Sequence, residues 1–246
     1  MANVIVAGGA TGIGRAAVRG FRARGDNVLL VDHRREALNL ADEQAPGGIR
    51  FIQRDLAAAE APREIVDEAV ATFGSLDTVL VTAALMLSAS LEEWTCDMWD
   101  RTVALNLRMP FLFAQAAAPQ LAKSDNPSII FISSTGAIRG HAGMSAYQAS
   151  KAALPALCRS LTAELGPQGI RINALLPGWI DTPFNDPFWS YQKDPAERRQ
   201  QIESQIPLRR QGDPEEVSSM VLFLASAAGR YIAGTSIIID GGYTAV

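Results

Sequence analysis

The 246-residue sequence predicts a doubly wound α/β fold, one parallel seven-stranded sheet with helices on both faces. Two observations point to it. Short runs rich in Val, Ile and Leu alternate with longer segments of helical period, and several of these runs are apolar at consecutive positions, as strands covered on both faces require. The runs are Asn3 to Val6, Asn27 to Val31, Arg50 to Ile52, Thr78 to Val81, Ser128 to Ile132, Arg171 to Leu175 and Ser236 to Ile239. A helical segment from Ile13 to Arg24 follows the first run. Near the far end, Asp213-Pro214-Glu215-Glu216 offers an N-cap, a proline at the first helical position and acids in the first turn, leading into Val217 to Ala225. No repeat or Gly/Ser-rich linker divides the chain, so residues 1–246 read as a single domain. Within it, residues 184–208, rich in aromatics and charges, read as a mobile lid over a site.

Composition excludes several classes of function. With 48% hydrophobic and 20% charged residues, a chain of this length buries about 70 to 75% of its unfolded surface and needs neither disulfide nor metal. The 22 Lys+Arg against 26 Asp+Glu leave a net charge of −4, which gives no electrostatic footprint for nucleic acid or an anionic membrane. A small molecule is the expected partner. Cys96 and Cys158 stand in no metal or redox spacing, no cationic leader precedes the first apolar run, and no run is long enough to span a membrane. The expectation is a reduced, soluble, cytoplasmic protein with no metal site.

The first strand runs into Gly8, Gly12 and Gly14 and then into a helix. Glycines so placed allow a tight turn, close approach of backbone to a pyrophosphate, and an anion at a helix N-terminus. The next strand leads into Asp32, about 20 residues on, where a carboxylate can accept both hydroxyls of an adenosine ribose and repel a 2′-phosphate. NAD is therefore favoured over NADP, against the nearby cations His33-Arg34-Arg35. Tyr147 and Lys151 lie four apart in a segment of helical character, so they share a face, and an ammonium about 4 Å from a phenol would stabilise phenolate by up to about 4 kcal/mol.

From Asn3 onward the chain resembles the short-chain dehydrogenase/reductase family. The resemblance rests on the glycine turn, Asp32, the segment Trp99 to Asn106, a Ser thirteen residues before the Tyr, the Tyr147/Lys151 pair, the stretch Pro177-Gly178-Trp179-Ile180-Asp181-Thr182-Pro183 and the terminal Asp240-Gly241-Gly242. It implies a Rossmann-like fold and hydride exchange between nicotinamide and a secondary alcohol or ketone. Tyr147 would be the general base, Ser134 would hold the substrate oxygen, Lys151 would bind ribose hydroxyls and lower the Tyr147 pKa, and Asn106 would order a relaying water. Asp55 would lie near the adenine, Thr182 would bond the cofactor near the nicotinamide, and Ile13, Leu56, Ala83, Pro177 and Ile180 complete the implied NAD contacts. A homotetramer is implied, built on Trp99 to Leu121, Tyr147 to Leu165 and the last strand.

Three departures from the family pattern stand out. Ala7 occupies a position that is usually Thr. Val81-Thr82-Ala83-Ala84, or the same stretch shifted by one, replaces Asn-Asn-Ala-Gly, which predicts weaker cofactor binding or stability. Pro155 lies one turn past Lys151, so it should kink the helix and free the Lys151 carbonyl as a water site. For substrate, Leu85, Met86, Ile138, His141, Trp179, Phe184, Phe188, Trp189 and Tyr191 are candidates, of which His141, Trp179, Phe184 and Trp189 join Ser134 and Tyr147 as the expected contacts. Their apolar, aromatic character points to a hydrophobic or cyclic alcohol or ketone, although such a cluster also suits packing of the lid itself. The alternatives are a 3-oxoacyl thioester reductase of the same family and a dinucleotide-binding sensor without turnover.

Overall fold

The computed structural model describes the backbone of residues 1–246 and every side chain except that of Glu36. The strands are β1 (Asn3–Ala7), β2 (Asn27–Asp32), β3 (Ile49–Gln53), β4 (Thr78–Val81), β5 (Ser128–Ile132), β6 (Arg171–Pro177) and β7 (Ser236–Ile239). They form one seven-stranded sheet in the order β3-β2-β1-β4-β5-β6-β7, with every neighbouring pair parallel. This is the sheet expected from the apolar runs. Four strands run slightly past those runs because the ladder carries them on: Ala7 pairs with Val31 and Val81, Asp32 with Gln53, and Pro177 with Ile239.

Consecutive apolar residues in a strand serve two cores. Val4 and Val6 of β1, with Leu30 and Ile130, pack against Phe21 of α1 (Gly12–Ala23) and Val217 and Val221 of α8 (Pro214–Leu224). Ile5, between them, joins Leu29, Val79 and Phe131 on the other face. There it meets Ile65 of α2 (Ala61–Phe73), Phe113 of α4 (Met109–Leu121) and Leu154 of α5 (Ser145–Leu165). The helix α3 (Cys96–Val103) passes into α4 through a π-helical stretch, Ala104–Arg108. The start of α8 is closed as expected, with the Asp213 N–H donating to the Glu216 carboxylate at 2.8 Å.

Residues 184–208 are not sheet. They carry α6 (Asp186–Tyr191) and α7 (Pro195–Gln205), and Phe188, Trp189 and Ile202 of these helices, with Ile206 just after α7, are buried with Trp179 and Tyr243 in a third apolar cluster. Because strand order reverses between β1 and β4, a crevice opens at the carboxyl ends of those strands, with this third cluster at one end. Among the described residues, no helix is long and apolar enough to cross a membrane.

Candidate active site

The crevice is a cavity of about 220 Å³ that reaches from the glycine turn to Tyr147. At the turn, Gly8 has φ +96° and Gly12 φ +52°, values that side-chain-bearing residues rarely adopt. A Cβ on Gly8 would lie 2.4 Å from the Ala83 nitrogen, so glycine is required by contact as well as by torsion. Thr11 caps α1 without a side-chain hydrogen bond, which leaves N–H groups of its first turn beside the cavity for an anion. Asp32 is 7% exposed. Its Oδ2 accepts from the Ala10 N–H at 2.9 Å and its Oδ1 from the Arg34 N–H at 3.0 Å, so the carboxylate ties β2 to the turn and keeps lone pairs for two further donors. Asp55 and Leu56 line the same end, Asp55 accepting from the Ala57 N–H at 2.9 Å. Ile13, Gly14 and Ala83 also line the cavity, as do Pro177, Ile180 and Thr182 farther along.

The departures at Ala7 and Thr82 meet in space. Strand β4 ends at Val81, and the Thr82 hydroxyl donates to the carbonyl of Gly8 at 2.5 Å and lies 3.1 Å from that of Ala7. The hydroxyl thus ties the residue after β4 to the end of β1 and the turn that follows it.

At the other end, Tyr147 and Lys151 project from α5 into the cavity, Tyr147 6% and Lys151 3% exposed. Burial pushes the phenol up to about 12, with the Ser134 hydroxyl opposing, and pushes the ammonium down to about 7. The expectation that Lys151 lowers the phenol is not met in this arrangement of the side chain: its Nζ donates to the Ile132 carbonyl at 2.7 Å and lies 5.7 Å from the Tyr147 ring centre, and desolvation dominates. The expected water site at the Lys151 carbonyl is also corrected, because the Ser133 hydroxyl fills it at 2.7 Å. Ser134 accepts from the Gly136 N–H at 3.0 Å and faces the cavity.

Asn106 is not a wall of the cavity. Buried in the π-helical stretch, its Oδ1 accepts from the Leu85 N–H at 2.7 Å while its Nδ2 donates to the Leu85 carbonyl at 2.9 Å and the Ser150 hydroxyl at 3.1 Å. The side chain clamps the chain that follows β4, and these bonds occupy the amide. On the substrate side, His141, Trp179, Phe184 and Met86 line the cavity, and the Phe184 ring centre lies 6.0 Å from that of Tyr147. His141 stands edge-on to Trp179 at 5.5 Å and stacks on Tyr243 at 6.2 Å, and burial lowers its pKa. Trp189 does not reach the cavity. It packs on Trp179 and Phe188, at ring distances of 5.2 and 5.0 Å, with the Arg199 guanidinium over its face. Leu85, Ile138, Phe188 and Tyr191 are likewise outside the cavity wall.

A family model described as enoyl-(acyl carrier protein) reductase matches residues 8–244. The solved structure of a short-chain dehydrogenase/reductase from Serratia marcescens superposes with a TM-score of 0.90 at 33% identity, over 98% of this chain and 97% of that one. The chain belongs to the short-chain dehydrogenase/reductase family. The 2,5-dichloro-2,5-cyclohexadiene-1,4-diol dehydrogenase of Sphingobium indicum is 35% identical to it over 243 residues, covering 98% of this chain and 95% of that one. The 3-oxoacyl-(acyl-carrier-protein) reductase of Thermotoga maritima is 33% identical over 241 residues, covering 97% and 96%. This short-chain dehydrogenase/reductase is therefore an oxidoreductase of a family that generally binds NAD or NADP.

Among the residues of the enzyme that line the cavity but lie outside the expected set are Ser133, Thr82, Met144 and Asn185. Asn185 holds the Ile180 carbonyl through its Nδ2 at 2.6 Å, fixing the segment before Phe184. A signal for Thr82 was present in the sequence, where it stands within the Val81-Thr82-Ala83-Ala84 departure from the family pattern.

Proposed function

We propose that this protein is an NAD(H)-dependent oxidoreductase that interconverts a secondary alcohol and its ketone, the alcohol apolar or cyclic. The observation that carries the reading is the convergence of Ser134, Tyr147 and Lys151 on one cavity whose far end holds the glycine turn and Asp32. The residues suit a dinucleotide. The turn leaves room only for backbone at Gly8, the first turn of α1 presents free N–H groups, and the buried Asp32 keeps acceptor capacity for a diol while its charge opposes a 2′-phosphate.

A bound nicotinamide supplies the hydride acceptor or donor. In the reducing direction Tyr147, held protonated by burial, gives its proton to the ketone oxygen, and the Ser134 hydroxyl holds that oxygen. In the oxidising direction the phenol first releases its proton to solvent, and the phenolate then takes the proton of the alcohol hydroxyl. Lys151, turned from the Ile132 carbonyl toward the phenol, stabilises the phenolate. Met86, Trp179 and Phe184 exclude water from the reacting carbon, and the name of the Sphingobium relative, a cyclic diol dehydrogenase, supports a ring-bearing substrate. A reductase of 3-oxoacyl thioesters is the second reading, favoured by the full-length likeness to the Thermotoga enzyme and opposed by Asp32 if NADPH is the reductant. Residues 184–208 act as a lid in this reading. The half-exposed Trp99 and Phe111 on α3 and α4, with Ile238 on β7, fit a homotetramer.

The experiment is reduction of NAD⁺ and NADP⁺ over a panel of aliphatic, cyclic, aromatic and polyol secondary alcohols, with 3-oxoacyl thioesters assayed in reverse. Turnover preferring NAD⁺ and a cyclic alcohol, lost by about 10³-fold or more in Tyr147→Phe with NADH affinity retained, is expected. Turnover with NADP⁺ alone overturns the role of Asp32, and turnover undiminished in Tyr147→Phe overturns the mechanism.

A further inference from the structure

Pro155 sits inside α5 and has no N–H, so the carbonyl of Lys151, four residues earlier, lacks its helical donor. A buried carbonyl left without a donor is costly. Here the donor comes from outside the helix: the Ser133 hydroxyl, itself 3% exposed, bonds the Lys151 carbonyl at 2.7 Å. Ser133 is anchored in turn, because its N–H donates to the Leu175 carbonyl of β6 at 2.7 Å. Its two neighbours hold the same helix face. The Ile132 carbonyl takes the Lys151 ammonium at 2.7 Å, and Ser134 lies beside the phenol of Tyr147, one turn earlier on α5.

A carbonyl bonded along a helix axis leaves the helix free to slide and turn against its sheet. A carbonyl bonded sideways to the end of a strand restrains both motions. We propose that Ser133 is a positioning residue: with the competing helical donor removed by Pro155, its hydroxyl holds the Lys151 carbonyl and sets the register in which Tyr147 and Lys151 face Ser134. Its catalytic consequence rests on the dehydrogenase reading above, whereas the coupling of Ser133 to Pro155 does not.

The test is a double-mutant cycle of Ser133→Ala, Pro155→Ala and the double variant, in which the Pro155→Ala change restores an N–H four residues after Lys151. Each protein is read by kcat and KM across pH, by NADH dissociation constant and by melting temperature. Ser133→Ala alone is expected to lower kcat about tenfold with KM changed less than about twofold, and to displace the pH dependence of kcat. In the Pro155→Ala background the same change is expected to cost less than about threefold, because the carbonyl then has its helical partner. An equal loss in both backgrounds overturns the proposal, and so does a fall in melting temperature with an unmoved pH profile. If the wild-type protein oxidises no alcohol, the dehydrogenase reading fails, and the cycle is read on NADH affinity and melting temperature. Non-additive effects there support the register coupling and additive effects overturn it.

Discussion

The hydroxyl of Thr82 donates to the carbonyl of Gly8 at 2.5 Å, bridging the end of β4 to the turn that follows β1. Gly8 cannot move away, since its φ of +96° and its close approach to Ala83 leave it one position. The N–H groups of Thr82 and Ala83 both reach the Ala7 carbonyl at 2.9 Å, so the hydroxyl completes a cross-link that the backbone begins. Thr82→Val keeps the shape and removes the donor. Stability should fall by about 1 kcal/mol in denaturant unfolding, and the NADH dissociation constant should rise about three- to tenfold. Unchanged values for both would show that the backbone bonds alone hold the turn.

Asp32 does structural work as well as the ribose recognition proposed for it. Its oxygens accept from the N–H groups of Ala10 and Arg34, and removing them leaves two donors short of a partner. Asp32→Ala should therefore cost about 1 to 3 kcal/mol of stability and also raise the NADP⁺ to NAD⁺ ratio of kcat/KM by tenfold or more. Steady-state kinetics with both dinucleotides, beside a melt of each protein, separates the two effects. A stability loss with an unaltered ratio would confine Asp32 to holding the turn.

The sheet was legible because each strand is an apolar run whose successive residues feed opposite cores, Val4 and Val6 one way and Ile5 the other. The helices over residues 184–208 were not. Only Ile202 of α7 is buried, so no apolar stripe of helical period marks it, and its two-sided polarity reads as loop. Trp189 shows the same limit for the site: an aromatic in a lid packs on other aromatics as readily as on substrate, and only geometry separates the two. The clamp made by Asn106 and the bond made by Ser133 were hidden differently. The Leu85 backbone that Asn106 clamps lies 21 residues away in the chain and the carbonyl that Ser133 holds 18 away, separations with no local signature.

The titration of Lys151 gives a pH dependence whose sign is fixed. Burial lowers its pKa to about 7 from 10.5, so between these values the unfolded chain binds more protons than the folded one and stability rises with pH. Lys151→Met removes that slope. The stability of wild type relative to the variant should grow by about 2 to 3 kcal/mol from pH 7 to pH 9, followed by urea unfolding. Tyr147, raised to about 12, acts oppositely once its unfolded counterpart ionises near 10, but it is present in both proteins and cancels in the difference. A flat difference across this window would mean that the ammonium keeps its charge in the fold.

Trp189 gives the test of the lid. It is 7% exposed, packed among Phe188, Trp179 and the Arg199 guanidinium, and this cluster joins α6 and α7 to the rest of the chain. Trp189→Ala should loosen the segment without opening the sheet, because both main cores lie elsewhere. Tryptic cleavage after Lys193, Arg198 and Arg199 should then accelerate about tenfold or more, with KM for the alcohol rising several-fold and the NADH dissociation constant held within about twofold. The Trp-to-Ala truncation costs about 3 to 5 kcal/mol when a whole core must absorb it. If that full cost appears as one global unfolding transition with no gain in cleavage, residues 184–208 are a fixed part of the fold and the lid reading fails.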